Sequence, residues 1–121
     1  MSDPAKTVLA FGWYAIILGA VLVLAPNLLL ATVGLPPTEE VWIRVVGMLL
    51  LFLGGYYLLA ARAEWTAFFR MSVWFRGLVI LFFAVFVVLG FVKPVLLGFA
   101  VVDLLAALWT ASALRHAAGR V

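Results

Sequence analysis

Four stretches of ~20 mostly apolar residues take up nearly the whole chain, and each is long enough to cross the hydrocarbon core of a bilayer as a helix. They fall at 4–25, 39–61, 72–92 and 94–114. Of the 121 residues, 69% are hydrophobic and 11% charged. An ordinary soluble domain is about half apolar and about a quarter charged, so no length is left for a water-soluble domain. Connections this short make neighbouring helices run in opposite directions. The expectation is an all-α integral membrane protein, an antiparallel four-helix bundle built as one domain over 1–121. The first run is expected to be kept as a span. At 8–25 it is longer than the ~7–15 apolar residues of a secretory leader, and its best cleavage site, Val23 and Ala25, is followed by Pro26.

Local signals set the expected boundaries. Asp3-Pro4 reads as the start of the first helix, with Asp3 as its N-cap. Ala15 and Gly19 form a small-xxx-small pair suited to a close helix contact. Pro26-Asn27 breaks the helix. A short interfacial turn at 27–34 is expected to follow, capped by Asn27 and closed by Gly34. Thr38 caps the second helix, with Glu39 and Glu40 at the positive end of its dipole. Inside that helix Gly54 and Gly55 mark a close-packing point. The stretch RAEWTAFFR at 62–70 reads as an interfacial turn, Ser72 as the cap of the third helix, and Lys93-Pro94 as a tight turn into the fourth.

Basic residues orient such a chain. Lys6, Arg62, Arg70, Arg76, Arg115 and Arg120 fall on one side, and only Arg44 and Lys93 on the other, beside Glu39 and Glu40. Six against two places both termini in the cytoplasm. Trp74 then lies toward the cytoplasmic interface and Trp42 marks the outer one. The basic residues stand singly at helix ends and form no patch, so no nucleic-acid partner is expected despite the net charge of +3.

Asp103, near the middle of the 94–114 run, is the strongest candidate for chemistry. A carboxylate at that depth costs ~2.5–3.5 kcal/mol on insertion scales and needs shelter. Its helical stripe (Ala100, Ala106, Ala107, Thr110, Ala111) is small enough to admit a neighbouring helix. Arg44 has Glu40 one turn earlier as a partner. Arg76 has none on its own helix, so an Asp103–Arg76 pair is expected, as a ligand or ion site or as a packing contact, with Tyr56 and Tyr57 as other donors to Asp103. His116 lies in the tail RHAAGRV, expected outside the membrane. With no cysteine and no buried histidine, no metal or cofactor site is expected. No nucleophile–base pair or phosphate loop is present, so no residue is assigned as catalytic and the chain does not read as an enzyme.

The break at APNLLLATVGLPP, the opening EEVWIRVVG, the basic turn ending FFR, then FRG and VDLLAALW together resemble the DoxX-like small four-helix bacterial membrane proteins. The resemblance is one of layout and implies a multi-pass protein of a bacterial-type inner membrane; some DoxX-type members are associated with quinone-linked sulfur oxidation. The function expected here is a non-enzymatic accessory or scaffolding subunit, or a homo-oligomer, whose partners are the lipid bilayer and other membrane helices. The alternative is a binder or carrier of a hydrophobic small molecule, a quinone or lipid, held at Asp103 and Arg76.

Overall fold

The structure is a computed structural model and describes residues 1–119; Arg120, counted above among the basic residues, and Val121 lie outside the described residues. Among the described residues the chain is all-helical, with no strand. The order is α1 (Asp3–Leu24), α2 (Pro26–Thr32), α3 (Trp42–Arg62), α4 (Thr66–Val88), a 3₁₀ turn (Pro94–Leu96) and α5 (Leu97–Gly119). The helices α1, α3 and α4, and the stretch Pro94–Ala118, are long and apolar enough to cross a membrane.

Three helices end in the same way. After α2 the N–H of Leu35 bonds the Leu30 carbonyl and Gly34 N–H bonds Ala31; after α3 Trp65 bonds Ala60 and Glu64 bonds Ala61; after α4 Phe91 bonds Phe86 and Gly90 bonds Val87. Each is a Schellman closure, which needs a left-handed residue at its corner. Gly34 (φ +78°) and Gly90 (φ +77°) supply it without strain, but at the third corner the residue is Glu64, at φ +52°.

Several boundaries differ from those expected of the sequence. The helix α4 begins at Thr66, not near 72, because 66–71 contains neither glycine nor proline and the Glu64 corner has already turned the chain. Ser72 is therefore inside the helix and buried, not a cap. The helix α3 starts at Trp42, not 39; Thr38 instead closes a small turn by accepting from the Glu40 N–H (3.2 Å). Asn27 lies within α2, and its Oδ1 accepts from the Thr38 N–H (2.9 Å), tying the loop back. Ser2 takes the capping place expected of Asp3, its Oγ accepting from the Ala5 N–H (3.2 Å). The last helix runs past 114 through Arg115 and His116 to Gly119. Nothing before Gly119 breaks it, and a basic last turn suits the helix dipole.

The described chain divides into two compact units. The first is 9–59. Here α1 and α3 meet backbone to backbone at glycines. A methyl group placed on Gly19 would lie 2.6 Å from the Gly47 carbonyl oxygen, and one on Gly54 would lie 2.7 Å from that of Gly12. Ala15, between Gly12 and Gly19, is fully buried. Gly55 has nothing within 4 Å of the same position, so of the adjacent pair only Gly54 makes the close contact. Arg44 has no ion pair with Glu40. Its guanidinium donates to the Val23 carbonyl, an acceptor that the end of α1 leaves unfilled. Tyr57 is buried with its ring against Phe11 (5.2 Å between centroids), whereas Tyr56 is exposed.

The second unit contains 1–8 and the described chain from 60 onward. Its core is Phe69, Ser72 and Arg76 from α4 and Ala100, Ala107 and Thr110 from α5, with Ala5, Thr7 and Val8 from the start of α1. Glu64 is clasped to the chain start: its carboxylate accepts from the Ser2 N–H (2.7 Å) and the Ser2 hydroxyl (2.5 Å). These bonds hold the Glu64 carboxyl below the ordinary value of 4.5. A lowered carboxyl contributes its stability at neutral pH and loses it as the pH falls from 4.5 through the lowered value. Fraying of the first turn of α1 is expected to rise over that window, and Glu64→Gln should show it already at pH 7. Hydrogen exchange at Ala5 and Lys6, whose N–H groups bond to Ser2, corrected for intrinsic rates, measures it. An unchanged profile in Glu64→Gln would mean the clasp contributes nothing.

Candidate functional site: a buried arginine network

Arg76 is 3% exposed, and Nε and Nη2 of its guanidinium bond to a carbonyl and two hydroxyls. Nε donates to the Ser72 carbonyl (3.2 Å), and Nη2 donates to Ser72 Oγ (3.0 Å) and to Thr110 Oγ1 (3.0 Å). Hydrogen bonds to a charged group contribute ~1.5–3 kcal/mol each, which offsets much of the cost of burying the cation.

Counting protons fixes the direction of the network. A threonine hydroxyl has one hydrogen to give. Thr7 gives its own to the Pro4 carbonyl (2.7 Å), so in the 2.7 Å contact between Thr7 and Thr110 the donor is Thr110. Ser72 likewise gives its proton to the Phe69 carbonyl (2.8 Å). A single line of donation therefore runs from Arg76 to Thr110 to Thr7 to Pro4, and joins α4, α5 and the first turns of α1. Thr7 and Thr110 are 2% and 0% exposed, so the line is shielded from solvent along its length.

Asp103 lies on the expected stripe of α5, half-buried between the buried Ala100 and Ala107. Arg76 acts on it through charge, but among the described residues the ion pair within 4.0 Å is Asp3–Lys6, not Asp103–Arg76. Geometry explains why. Thr110 is the α5 residue level with Arg76, and Asp103 is two turns away, ~10 Å at 1.5 Å per residue. Side chains on a helix lean toward its N-terminus. Arg76 thus reaches back one turn along its own helix to Ser72.

Beside Thr7 the second unit has a cleft of about 270 Å³, lined by Asp3, Lys6, Thr7, Trp109, Ser112, Ala113 and His116. His116 is among its lining residues and lies within α5. Trp42 and Trp74, read as interface markers, are both well exposed (68% and 75%).

The sequence reading passed over Thr7, Thr110 and the internal role of Ser72. Their signal was available. A hydroxyl within an apolar run is a natural interhelical donor or acceptor, and Thr110 is on the same stripe as Asp103. What was missing was the register that sets Thr110, rather than Asp103, opposite Arg76. Comparisons with protein-family models, with curated proteins and with solved structures find no match for this chain.

Proposed function

We propose that the chain is a four-span membrane protein with both termini in the cytoplasm, acting as a non-enzymatic subunit whose outer helix faces assemble with other membrane helices, its own copies or those of a larger complex. The observation that carries this is how little of its apolar surface the chain covers. Of the most apolar part of α4 only 11% is buried, and Leu81, Phe82, Val85 and Val88 stand exposed along it. An antiparallel arrangement is supported by the contact registers: Gly12 meets Gly54 and Gly19 meets Gly47, so one index rises as the other falls. Arg76 and Thr110, likewise, are equally far along the chain from Lys93. The burial of Arg76 removes it from the headgroup anchors, but Lys6, Arg62, Arg70 and Arg115 are exposed and still outnumber Arg44 and Lys93. The DoxX-like resemblance agrees with this reading.

One set of single-cysteine variants tests it, since the native chain has no cysteine. In intact cells an impermeant maleimide is expected to label a cysteine at Glu39 and to leave Ala63 and Arg115 unlabelled. Oxidative cross-linking in native membranes should trap a cysteine at Phe82 with a partner. Labelling at Ala63 would invert the topology, and a Phe82 variant that never cross-links would leave α4 facing lipid.

A second reading is favoured by the cleft beside Thr7: a binder of a hydrophobic molecule with a polar head, a quinone or lipid. The polar contacts on this reading come from the polar side chains that line the cleft rather than from an Asp103–Arg76 pair.

A further inference from the structure

The corner between α3 and α4 carries charges that the subunit reading does not use. The charged residues of 60–75 are Arg62, Glu64 and Arg70, all exposed. Glu64 is already engaged, since each of its carboxylate oxygens accepts from Ser2. Among the described residues neither Arg62 nor Arg70 has a hydrogen bond or an ion pair. Two guanidiniums therefore stand open on either side of an acid that is occupied elsewhere. Two indoles accompany them. Trp65 is exposed at the corner itself, its ring beside Phe68 (5.7 Å between centroids), and Trp74 is exposed on α4. Arg70 and Trp74 are one turn apart on the same face of that helix, with Trp74 ~6 Å nearer its most apolar part. Helical side chains lean toward the N-terminus, so Arg70 leans to the corner and away from the apolar part. A cation outermost, with an indole one turn further in, is the order in which a bilayer presents phosphate and then interface.

We infer that this corner binds the headgroup of an anionic phospholipid, a phosphate diester with no amine to neutralise it, through Arg62 and Arg70. The inference rests on the membrane-spanning reading and adds a lipid partner at headgroup depth. That level lies outside the apolar part of α4 that the subunit reading gives to other helices, so the two occupants do not compete. A guanidinium offers paired N–H donors that match two oxygens of one phosphate, which a solvated ammonium does not. An ethanolamine or choline head would bring a cation up to two guanidiniums. The acid that could receive that cation, Glu64, has both oxygens filled by Ser2. The corner therefore selects by charge: it has donors for a phosphate and no open acceptor for an amine.

The test is native mass spectrometry of the full chain released from nanodiscs of equal parts phosphatidylglycerol and phosphatidylcholine. A basic residue at an anionic surface is worth about fivefold, so the native chain is expected to retain phosphatidylglycerol about twenty-fivefold over phosphatidylcholine. Arg62→Gln and Arg70→Gln should each lower that ratio about fivefold, and the double variant should retain the two lipids almost equally. Arg70→Lys, which keeps the charge, should recover most of what Arg70→Gln loses. Arg115→Gln removes the same charge from an exposed position of α5 and should leave the ratio within about twofold of native. These are exposed positions, where substitutions leave the fold intact, and circular dichroism checks that they do. Equal retention of both lipids by the native chain, or a loss in Arg115→Gln as large as in Arg62→Gln, would overturn the site. Soluble glycerol phosphate added as competitor separates the sources: displacement of the lipid at matched concentration would assign the corner to a free phosphate ester and overturn the lipid assignment. A chain that fails to enter nanodiscs overturns the membrane reading together with the site, whereas an inserted chain without headgroup preference overturns the site only.

Discussion

Gly54→Leu should leave little folded protein, while Gly55→Leu, one residue away, should melt close to the native chain. The contrast is steric. A Cβ at Gly54 would lie 2.5 Å from Ile16 Cγ1 and 2.7 Å from the Gly12 carbonyl oxygen, and one of these is backbone that cannot step aside; at Gly55 there is nothing within 4 Å. Even alanine decides the matter. In an open helical position Gly→Ala stabilises by up to ~1 kcal/mol through helix propensity. At Gly54, and at Gly19, where a Cβ would be 2.6 Å from the Gly47 oxygen, separating the helices is expected to cost ~1–3 kcal/mol, so the sign reverses. Thermal unfolding of Gly19→Ala, Gly54→Ala and Gly55→Ala in one detergent reads the sign directly. Similar melting temperatures for the Gly54 and Gly55 variants would mean that α1 and α3 do not cross as closely as described.

The second large effect is expected at Thr110. Thr110→Val keeps the shape but removes the acceptor of Arg76 Nη2 and the donor to Thr7 at one stroke. A cation 3% exposed then loses one of its partners, at ~1.5–3 kcal/mol for a charged bond. Polar contacts between membrane helices average nearer ~0.6 kcal/mol in double-mutant cycles, so the lower part of that span is expected. Arg76→Met removes the charge and its desolvation cost together, and such replacements are often neutral or better. The discriminating result is therefore the double variant: Arg76→Met should make Thr110→Val less damaging than it is in the native background. Strict additivity would show that the two side chains do not interact. Asp103→Asn supplies the contrast. Its link to Arg76 is one of charge without contact, so it should leave the Thr110–Arg76 coupling in place.

The amino-acid order by itself determined the helical class of this protein. Apolar runs of ~20 residues, broken only at short polar connections, read as helices long enough to cross a bilayer, and four helices of that length and composition are what the described chain forms. Local turn chemistry at Gly34 and before Pro94 was legible for the same reason: glycine at a left-handed corner and proline at a first turn act through their own backbone. The Glu64 corner was not, because a non-glycine residue accepts that conformation only with outside support, here from Ser2, 62 residues away. The start of α4 was misplaced along with it. The identity of Arg76's partner was the other thing local reasoning could not reach. The sequence singles out Asp103 as the one deep carboxylate and Arg76, in contrast to Arg44 with Glu40, as an arginine inside an apolar run with no acid one turn away, and opposite charges invite pairing. Only the packed structure sets the register between α4 and α5 and the tilt of each side chain toward its own N-terminus. Together these put two hydroxyls, not the carboxylate, within reach of the guanidinium. A different register, that between α1 and α3, chose Gly54 over Gly55. A helix turns 100° per residue, so adjacent glycines face different surroundings, and nothing in their local sequence says which one meets α1.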